Sequence, residues 1–545
     1  TAVGGNALQS NTTGTQNTAV GSGALQTNQI GVSNTAVGRV AMNNNSSGNA
    51  NTALGQASLQ LNSTGNSNTA VGDSSLQFNV GGSNNTAVGQ VALNNNVADN
   101  NTAVGYRSMF SNTTGTLNVA VGAWTLTNNT TGNFNSAVGY SSLGNNTIGI
   151  DNTAMGYNSL GAETTGSDNT AIGFNALAAN NGASANTAVG SGALSANTTG
   201  VRNTAVGYTA LNVSTIDTDN TAIGYEALTT NNGGVSNTAV GSFTLTLNTT
   251  GSFNTACGEG ALNSNTIGTL NTAVGAETLN LNTTGNYNTA VGYQALSLNT
   301  IGSDNTAVGL EALRLNTTGS YNTAVGWQSL IVNTIGMNNT GIGWSALGGN
   351  TEGSYNVAVG YQAMSHCVTG TNNIAVGLYA GDSLNLSESN NIYIGNSGFA
   401  GESDAIRIGT SPVQTTCFIQ GIDGATTGLP GTTVVVDGNG QLGTISSTRR
   451  VKHNIADMND VSAAIYNLRP VTFAYNSDVS ETEQYGLIAE EVDEVFPGIV
   501  IRDADGVPAT VQYHILPVLL LNEVQKLCAK VENMNERLIA LEEQN

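Results

Sequence analysis

The sequence predicts a mainly β protein: a parallel β-solenoid of about 24 coils, followed by a small α+β domain and a C-terminal coiled-coil helix. Three observations predict this architecture. A 17-residue motif repeats from the start of the chain to about residue 395. The density of charged residues rises sharply near residue 447. Near the C-terminus, apolar residues recur at alternating steps of four and three, which is the pattern of a coiled coil.

The solenoid prediction depends on the regularity of the repeat. The string NTAVG, or a close variant, begins at Asn17 and returns at steps of 17 residues up to Asn373, with a last copy at Asn391. One step of 16 residues, from Asn85 to Asn101, and a final step of 18 interrupt the period. With a partial copy at the start of the chain, there are 24 copies. A period this strict indicates that each copy stacks on the next in the same way.

Each copy reads N-T-A-V-G-x-x-A-L-x-x-N-T-T-G-x-x. Thr and Val around Ala indicate a short strand, and the Gly at position five, such as Gly292, supplies a turn that a Cβ would obstruct. Ala-Leu at positions eight and nine gives one large apolar side chain per coil, and N-T-T-G turns the chain back. At about 4.8 Å per strand, the coils predict a rod on the order of 115 Å long. The sequence leaves the handedness of the coils open.

The Asn residues at positions one and twelve have two interpretations. Stacked Asn side chains can form hydrogen-bonded ladders along the rod. Alternatively, Asn-Thr-Thr at Asn11 and at Asn282 matches the acceptor pattern for N-glycosylation. Because the Asn recurs as a structural position, the ladder is the favoured interpretation.

Position six, which follows the Gly, is often aromatic. Ten coils carry Tyr, Phe or Trp there: Tyr106, Tyr140, Tyr157, Phe174, Tyr208, Tyr225, Tyr293, Trp327, Trp344 and Tyr361. A column of such rings could contact sugars, or it could cover a seam between subunits or shield the turn. Other coils carry Ser22, Arg39, Gln56 or Glu259 at this position. The column is therefore interrupted, which favours the second interpretation.

The repeats resemble the head repeats of trimeric autotransporter adhesins and the shafts of some phage tail fibres. The resemblance covers residues 1 to about 395. In those families three chains wind or pack together around an axis, so the resemblance implies a homotrimer. The period of the adhesin heads is usually shorter than the one found in this chain.

The period disappears after about residue 396. The segment from Phe418 to Thr444 reads as short strands with Asp-Gly and Asn-Gly turns. From Ser447 onward, 99 residues hold 24 charges, whereas the preceding 446 residues hold 24 charges and no lysine. These boundaries predict four parts: a solenoid shaft over 1–395, a β-rich connector over 396–446, a small α+β domain over 447–515 and a coiled-coil helix over 516–545.

The small domain contains a series of recognisable motifs. They are SSTRRVKHNI from Ser446, LRPVTFAY from Leu468, QYGLIAEEV from Gln484, a proline at Pro497, and VQYHILPVLLLNEVQKL from Val511. This series is similar to the intramolecular chaperone domain of endosialidases and other phage tail spikes, the S74 peptidase family. The resemblance covers about 100 residues and implies a domain that guides trimerisation.

The resemblance also implies self-cleavage by a Ser/Lys dyad. By motif position, Ser447 is the nucleophile and Lys452 the general base, and the bond broken is Ser446–Ser447. A serine hydroxyl is a weak nucleophile until an adjacent base takes its proton, and lysine serves as a base when burial or nearby cations lower its pKa. Thr448 stands where the family often has Asp, and Ser446 is an alternative nucleophile. Any enzymatic activity would thus be single-turnover autoproteolysis, that of a serine endopeptidase.

The C-terminal segment carries an apolar seam of about three heptads: Leu520, Val524, Leu527, Val531, Met534, Leu538 and Leu541. Such seams need partner helices, so this segment by itself indicates oligomerisation. The residue types leave two and three strands open, and the family resemblance implies three.

Composition excludes several other functions. The net charge is −22, with −14 before Ser447 and −8 after it, so a nucleic-acid partner is not expected. The four Cys residues are far apart in sequence and form no predicted disulfide framework or metal cluster, and no cofactor or metal is expected. No apolar run is long enough to insert into a membrane. The chain begins inside a repeat, so we expect it to be part of a longer protein.

The predicted function is structural. The sequence indicates the shaft of a tail fibre on a virion surface, whose C-terminal chaperone directs trimerisation and then cleaves itself off. A bacterial trimeric surface adhesin, which binds host or glycan receptors at the cell surface, is the alternative. The expected partners are two further copies of the chain and a cell-surface receptor or glycan, whose identity the sequence does not reveal. A glycan-degrading enzyme is disfavoured because the acids of the shaft recur at no fixed place.

Overall fold

The structure is a computed structural model, which describes residues 1–410, 412–414, 416–419, 433–437, 441–503 and 505–544. It divides into two compact units, Thr1–Thr416 and Cys417–Asn545. The first unit contains the repeats, and the second contains the charged C-terminal part of the chain.

The first unit is a parallel β-solenoid, as the repeat predicts. Its sheet has 25 strands, and each pairs in parallel with the next along the chain. Equivalent repeat residues face each other, as Ala154 and Ala171 do. The strands are β1 (Ala2–Val3), β2 (Thr18–Val20), β3 (Thr35–Val37), β4 (Thr52–Leu54), β5 (Thr69–Val71), β6 (Thr86–Val88), β7 (Thr102–Val104), β8 (Val119–Val121), β9 (Ser136–Val138), β10 (Thr153–Met155), β11 (Thr170–Ile172), β12 (Thr187–Val189), β13 (Thr204–Val206), β14 (Thr221–Ile223), β15 (Thr238–Val240), β16 (Thr255–Cys257), β17 (Thr272–Val274), β18 (Thr289–Val291), β19 (Thr306–Val308), β20 (Thr323–Val325), β21 (Thr340–Ile342), β22 (Val357–Val359), β23 (Ile374–Val376), β24 (Ile392–Ile394) and β25 (Ile406–Ile408).

The side chains of each strand alternate between the core and the surface. The middle residue, usually Ala, is buried, whereas the flanking Thr and Val are partly or fully exposed. The Leu at position nine supplies most of the volume of the core, and Leu296 is one of its fully buried members. These residues form one continuous cluster along the unit. Burial of each Leu contributes about 1.5–3 kcal/mol.

Glycine at position five sets how closely the coils approach. Gly292 has a φ of 130°, a conformation that residues with a Cβ rarely adopt. A Cβ on Gly292 would lie 2.5 Å from the carbonyl oxygen of Gly309 in the next coil. The coils therefore stack at the spacing of a β-sheet only because this position lacks a side chain.

The Asn residues form the predicted ladders. At position twelve, Asn282 Nδ2 donates to Asn265 Oδ1 at 2.8 Å and to the carbonyl oxygen of Gly285 at 3.0 Å. Asn299 Nδ2 donates in turn to Asn282 Oδ1 at 2.8 Å. At position one, each side-chain oxygen accepts a hydrogen bond from the backbone N–H of the next Asn. Because Asn282 is fully buried and both amide hydrogens are used, its amide is not available for glycosylation in the folded unit.

The solenoid ends in a different arrangement of side chains. Tyr393 of β24 replaces the inward Ala and is fully buried. Its hydroxyl donates to Glu402 Oε2 at 3.1 Å, and Arg407 of β25 forms an ion pair with Glu402 at 2.7 Å. The Arg407 guanidinium also lies over the ring of Phe399. One strand of the predicted connector, β25, thus belongs to the solenoid sheet, and the buried ring and the ion pair close its core.

Among its described residues, the second unit has three small antiparallel sheets, short helices and one long helix. Its elements are β26 (Val434–Val436), β27 (Leu442–Thr444), the 3₁₀ helices Arg449–Val451 and Asn459–Asn467, β28 (Val471–Phe473), β29 (Gln484–Gly486), α1 (Ala489–Val495), the 3₁₀ helix Pro497–Ile499, β30 (Val500–Arg502), β31 (Pro508–Val511), the 3₁₀ helix Tyr513–Ile515 and α2 (Leu516–Glu542). A small core contains Val492, Ile499, Val511 and Leu519. The predicted connector strands are present as the hairpin of β26 and β27, while its Asn-Gly turn and residues 420–432 lie outside the described residues.

Candidate functional site

The predicted cleavage site lies just after β27, where the chain turns sharply. Thr448 caps the 3₁₀ helix Arg449–Val451, because its side-chain oxygen accepts a hydrogen bond from the backbone nitrogen of Arg450 at 3.1 Å. Lys452 ends this turn in an extended conformation, with φ −120° and ψ 140°. The turn brings the side chain of Lys452 back toward Ser447.

The structure brings the two predicted catalytic residues into contact. Lys452 Nζ donates a hydrogen bond to Ser447 Oγ at 3.0 Å. This separation is within the range over which a base takes a hydroxyl proton. Ser446, the alternative nucleophile, makes no hydrogen bond to a lysine in the part of the chain that the structure describes.

Both members of this pair are exposed in the single chain. A lysine acts as a general base when its surroundings favour the neutral amine, and burial is the common way to achieve this. The single chain therefore supplies the contact between the two groups but does not remove them from water.

A second serine–lysine cluster, which the sequence analysis missed, joins the helix Asn459–Asn467 to α2. Ser462 is fully buried, and its hydroxyl donates to Glu523 Oε1. Lys526 Nζ donates to the same carboxylate oxygen at 2.8 Å, and Asn522 Nδ2 donates to Ser462 Oγ at 2.6 Å. The hydrogen bonds from Lys526 and Ser462 lower the pKa of Glu523 to about 2.

The charge of Lys526 separates this cluster from the predicted dyad. The hydrogen bond to Glu523 raises the pKa of Lys526, so this lysine stays protonated and is unsuited to act as a base. The cluster instead attaches α2 to its own unit through buried polar contacts. The Glu–Lys spacing of three on a helix was visible in the sequence, but nothing there pairs it with Ser462, which is 61 residues from Glu523.

The long helix α2 has two different faces. Leu519 and Glu523 are buried against the rest of the unit. The predicted coiled-coil seam lies elsewhere on the helix, and its members Leu520, Val524 and Leu527 are 52–56% exposed. Further along, Val531, Met534 and Leu538 are also more than half exposed. The helix thus packs on its own unit without using the seam.

The position-six rings of the solenoid form an exposed, interrupted column. Tyr140, Tyr157 and Phe174 stack with ring centroids 5.5 and 5.4 Å apart. Tyr208 and Tyr225 stack at 5.4 Å, with neighbouring coils that carry other residue types. These tyrosine and phenylalanine rings are about half exposed, so the single chain leaves the column uncovered.

Neither a metal site nor a membrane span is found among the described residues. Within them, no group of three or more His, Cys, Asp and Glu side chains is placed to hold a metal ion. The described helices also include none whose length and apolar character would allow it to cross a membrane.

Comparison with known proteins gives one match. A protein-family model described as the chaperone of endosialidase matches residues 447–501. No curated protein and no solved structure matches the chain. The matched segment begins at Ser447 and ends before the motif that starts at Val511. Over 447–501, the C-terminal unit is therefore similar to the chaperone of endosialidase, and this unit follows a parallel β-solenoid in the chain.

Proposed function

We propose that this chain is a structural fibre protein, the shaft of a tail fibre on a virion surface. Three copies form the fibre, and the C-terminal unit aligns them and then cleaves itself off. The observation that carries the proposal is the uncovered seam of α2. Six apolar side chains of this seam, from Leu520 to Leu538, are each more than half exposed in the single chain. A heptad seam in water needs partner helices.

The family resemblance supports three partner helices rather than two. Chaperones of the endosialidase type act on trimeric tail spikes, and residues 447–501 match their family model. The position of the seam on α2 also fits this role, because the helix packs on its own unit through Leu519 and Glu523 and leaves the seam to other copies.

The solenoid offers a second surface for contact between copies. The residues at position four point outward from the sheet, and they form an apolar column along the unit. Val274, Val308 and Ile342 in this column are 37–40% exposed. Continuous apolar patches on a protein surface commonly mark interaction sites. On this proposal, the outward faces of three sheets pack around a common axis.

Alignment is a physical problem that such a shaft has to solve. Because the coils are nearly identical, strand edges and outward faces can pair in wrong registers or aggregate. A coiled coil at one end holds three chains at a high effective concentration and fixes their alignment. Subsequent cleavage would remove this template and make the assembly kinetically irreversible.

The proposed cleavage uses Ser447 and Lys452. Ser447 Oγ attacks the carbonyl carbon of Ser446 while Lys452, as the neutral amine, takes the hydroxyl proton. The bond to the Ser447 nitrogen breaks, Lys452 returns the proton to that nitrogen, and an ester forms. Water then hydrolyses the ester and releases the last 99 residues. Since both side chains are exposed in the single chain, we place their activation in the assembled trimer, where another copy covers them.

The test is a comparison of the full chain with Ser447→Ala and Lys452→Ala on denaturing gels and by mass spectrometry. The wild type should yield a shaft that ends at Ser446 and a fragment of 99 residues, and both variants should remain whole. Ser446→Ala is the matched control and should still be cut. Cleavage that persists in Lys452→Ala would refute the dyad, and an intact wild type would leave the C-terminal unit as an alignment device without protease activity.

A further inference from the structure

Every coil has a sharp corner just before its strand, at position seventeen of the motif. The backbone there has a positive φ, for example 57° at Asn338 and at Asn372. Non-glycine residues with positive φ are uncommon, and Asn and Asp tolerate this conformation best. Many coils accordingly carry Asn, Asp or Ser at the corner.

Some coils instead carry an aromatic residue at this corner, in a regular pattern. Phe253, Tyr287, Tyr321 and Tyr355 follow one another at steps of 34 residues, which is every second coil. The three tyrosines have φ values of 57–62° and are 58–60% exposed. Neither the backbone conformation nor the exposure favours a large ring. Because these exposed rings contribute little to the fold of the single chain, they point to a contact with another molecule.

Tyr287, Tyr321 and Tyr355 each precede a strand, and a second ring stands two residues after the end of that strand. The residues at position six after these strands are Tyr293, Trp327 and Tyr361. Phe134 and Tyr140 repeat the arrangement earlier in the chain, whereas Phe253 is followed by Glu259.

Rotational symmetry determines which ends of these strands meet in a trimer. When three strands lie with their outward faces toward a common axis, the start of each strand lies next to the end of the strand in the neighbouring copy, because cyclic contacts are head to tail. The ring at position seventeen of one copy then lies beside the position-six ring of the next copy. This step rests on the proposed function.

We infer that these ring pairs between copies hold the axial register of the trimer after the coiled coil has set it and cleavage has released the coiled coil. With the copies aligned, the three corner tyrosines each meet an aromatic ring. A shift by one coil in one direction replaces those partners with Leu310, Trp344 and Leu378, and in the other direction with Ala276, Leu310 and Trp344. One ring pair remains instead of three. A second copy of this chain carries rings at the same two-coil spacing, in Tyr293, Trp327 and Tyr361, whereas same-side side chains of an extended peptide repeat about every 6.8 Å.

A native cysteine can be used to measure this register. Cys257 lies at the outward position four of β16 and is exposed. In aligned copies, the three Cys257 residues lie at the same level. A shift by one coil places Cys257 opposite Val240 or Val274, the equivalent residues of the adjacent strands. This displacement of about 4.8 Å is large compared with the range of Cα–Cα distances that a disulfide tolerates.

The experiment uses the full chain with the exposed Cys417 and Cys528 changed to Ser. In this background, Tyr287→Asn, Tyr321→Asn and Tyr355→Asn are combined. Asn is native at the same corner in other coils, so the single solenoid should fold as before, with an unchanged circular dichroism spectrum. Oxidation should form a disulfide between Cys257 residues of neighbouring copies in the parent protein, and the triple variant should show about tenfold less of this cross-linked product.

The matched control is Leu117→Asn with Leu270→Asn. These changes affect the same corner in coils whose next strands are followed at position six by Ala123 and Ala276, and cross-linking should be unchanged. A triple variant that forms trimers and cross-links as well as the parent would overturn the inference and leave the proposed trimer intact. A parent protein with the mass of a single chain would instead refute the proposed function, and the inference with it.

Discussion

The two units of this protein are held together in different ways. In the solenoid, hydrogen bonds connect residues one coil apart, and the same contact recurs from Asn45 to Asn350 with few interruptions. In the C-terminal unit, contacts occur once and join distant residues, as Ser462 and Glu523 do across 61 positions. The distribution of lysine follows the same division, because every lysine of the chain lies after Ser447.

On the proposed function, this difference explains why one chain carries both units. A structure made of equal coils has many nearly equivalent ways to pair with its copies. A unit with unique contacts has one arrangement, and it can therefore set the alignment for the repetitive part. The buried cluster around Glu523 holds α2 against this unit and leaves the seam of the helix exposed.

The largest expected effect comes from charging the seam. Val524→Asp combined with Leu527→Asp would place carboxylates in the core of the proposed coiled coil, where burial of an unpaired charge is strongly unfavourable. We expect the assembly to separate into single chains or to aggregate, as measured by light scattering after size-exclusion chromatography. Ala529→Asp with Asn533→Asp, off the seam on the same helix, should leave the trimer unchanged. A trimer that survives the seam variant would show that α2 does not join the copies.

A ladder residue should have a smaller effect, confined to the solenoid. Asn282→Ala leaves Asn265 Oδ1 and the carbonyl oxygen of Gly285 without the buried amide that bonds them. We expect a loss of about 1–3 kcal/mol in the free energy of unfolding, measured by denaturant titration. Thr284→Ala, at a partly exposed position of the same turn, should change stability by less than about 0.5 kcal/mol. Equal stability of both variants would show that the ladder does not hold the coils together.

The smallest effect concerns the dependence of the C-terminal unit on pH. The pKa of Glu523 is lowered to about 2 in the folded state, against about 4.3 for an unfolded glutamate. Its carboxylate therefore stabilises the unit above about pH 4.3, and this contribution is lost as the pH falls toward 2. The melting temperature of the helical circular dichroism signal should fall less over this range in Glu523→Gln than in the wild type. Glu532→Gln, exposed on the same helix, should behave as the wild type does, and identical profiles for all three proteins would contradict the assigned role of Glu523.

Sequence reasoning succeeded where a contact depends on spacing. The period determined the stacking and the recurrence of Asn predicted the ladders, whereas the coiled-coil contact of heptad residues such as Val524 stays a prediction. It could not find the closure of the solenoid core by Tyr393 and Glu402 or the cluster of Ser462 with Glu523, because these contacts occur once and have no repeat to reveal them. The strained corners at Tyr287 and its equivalents could be recognised only from the backbone conformation, which residue types alone do not reveal. The contact of Ser447 with Lys452 was anticipated from a family resemblance, and its catalytic role stays a prediction.

Native mass spectrometry of the purified full chain tests the central claim most directly. The proposed fibre predicts a complex of three copies, either whole or shortened at Ser447. A population made up of single chains under the same conditions would contradict it.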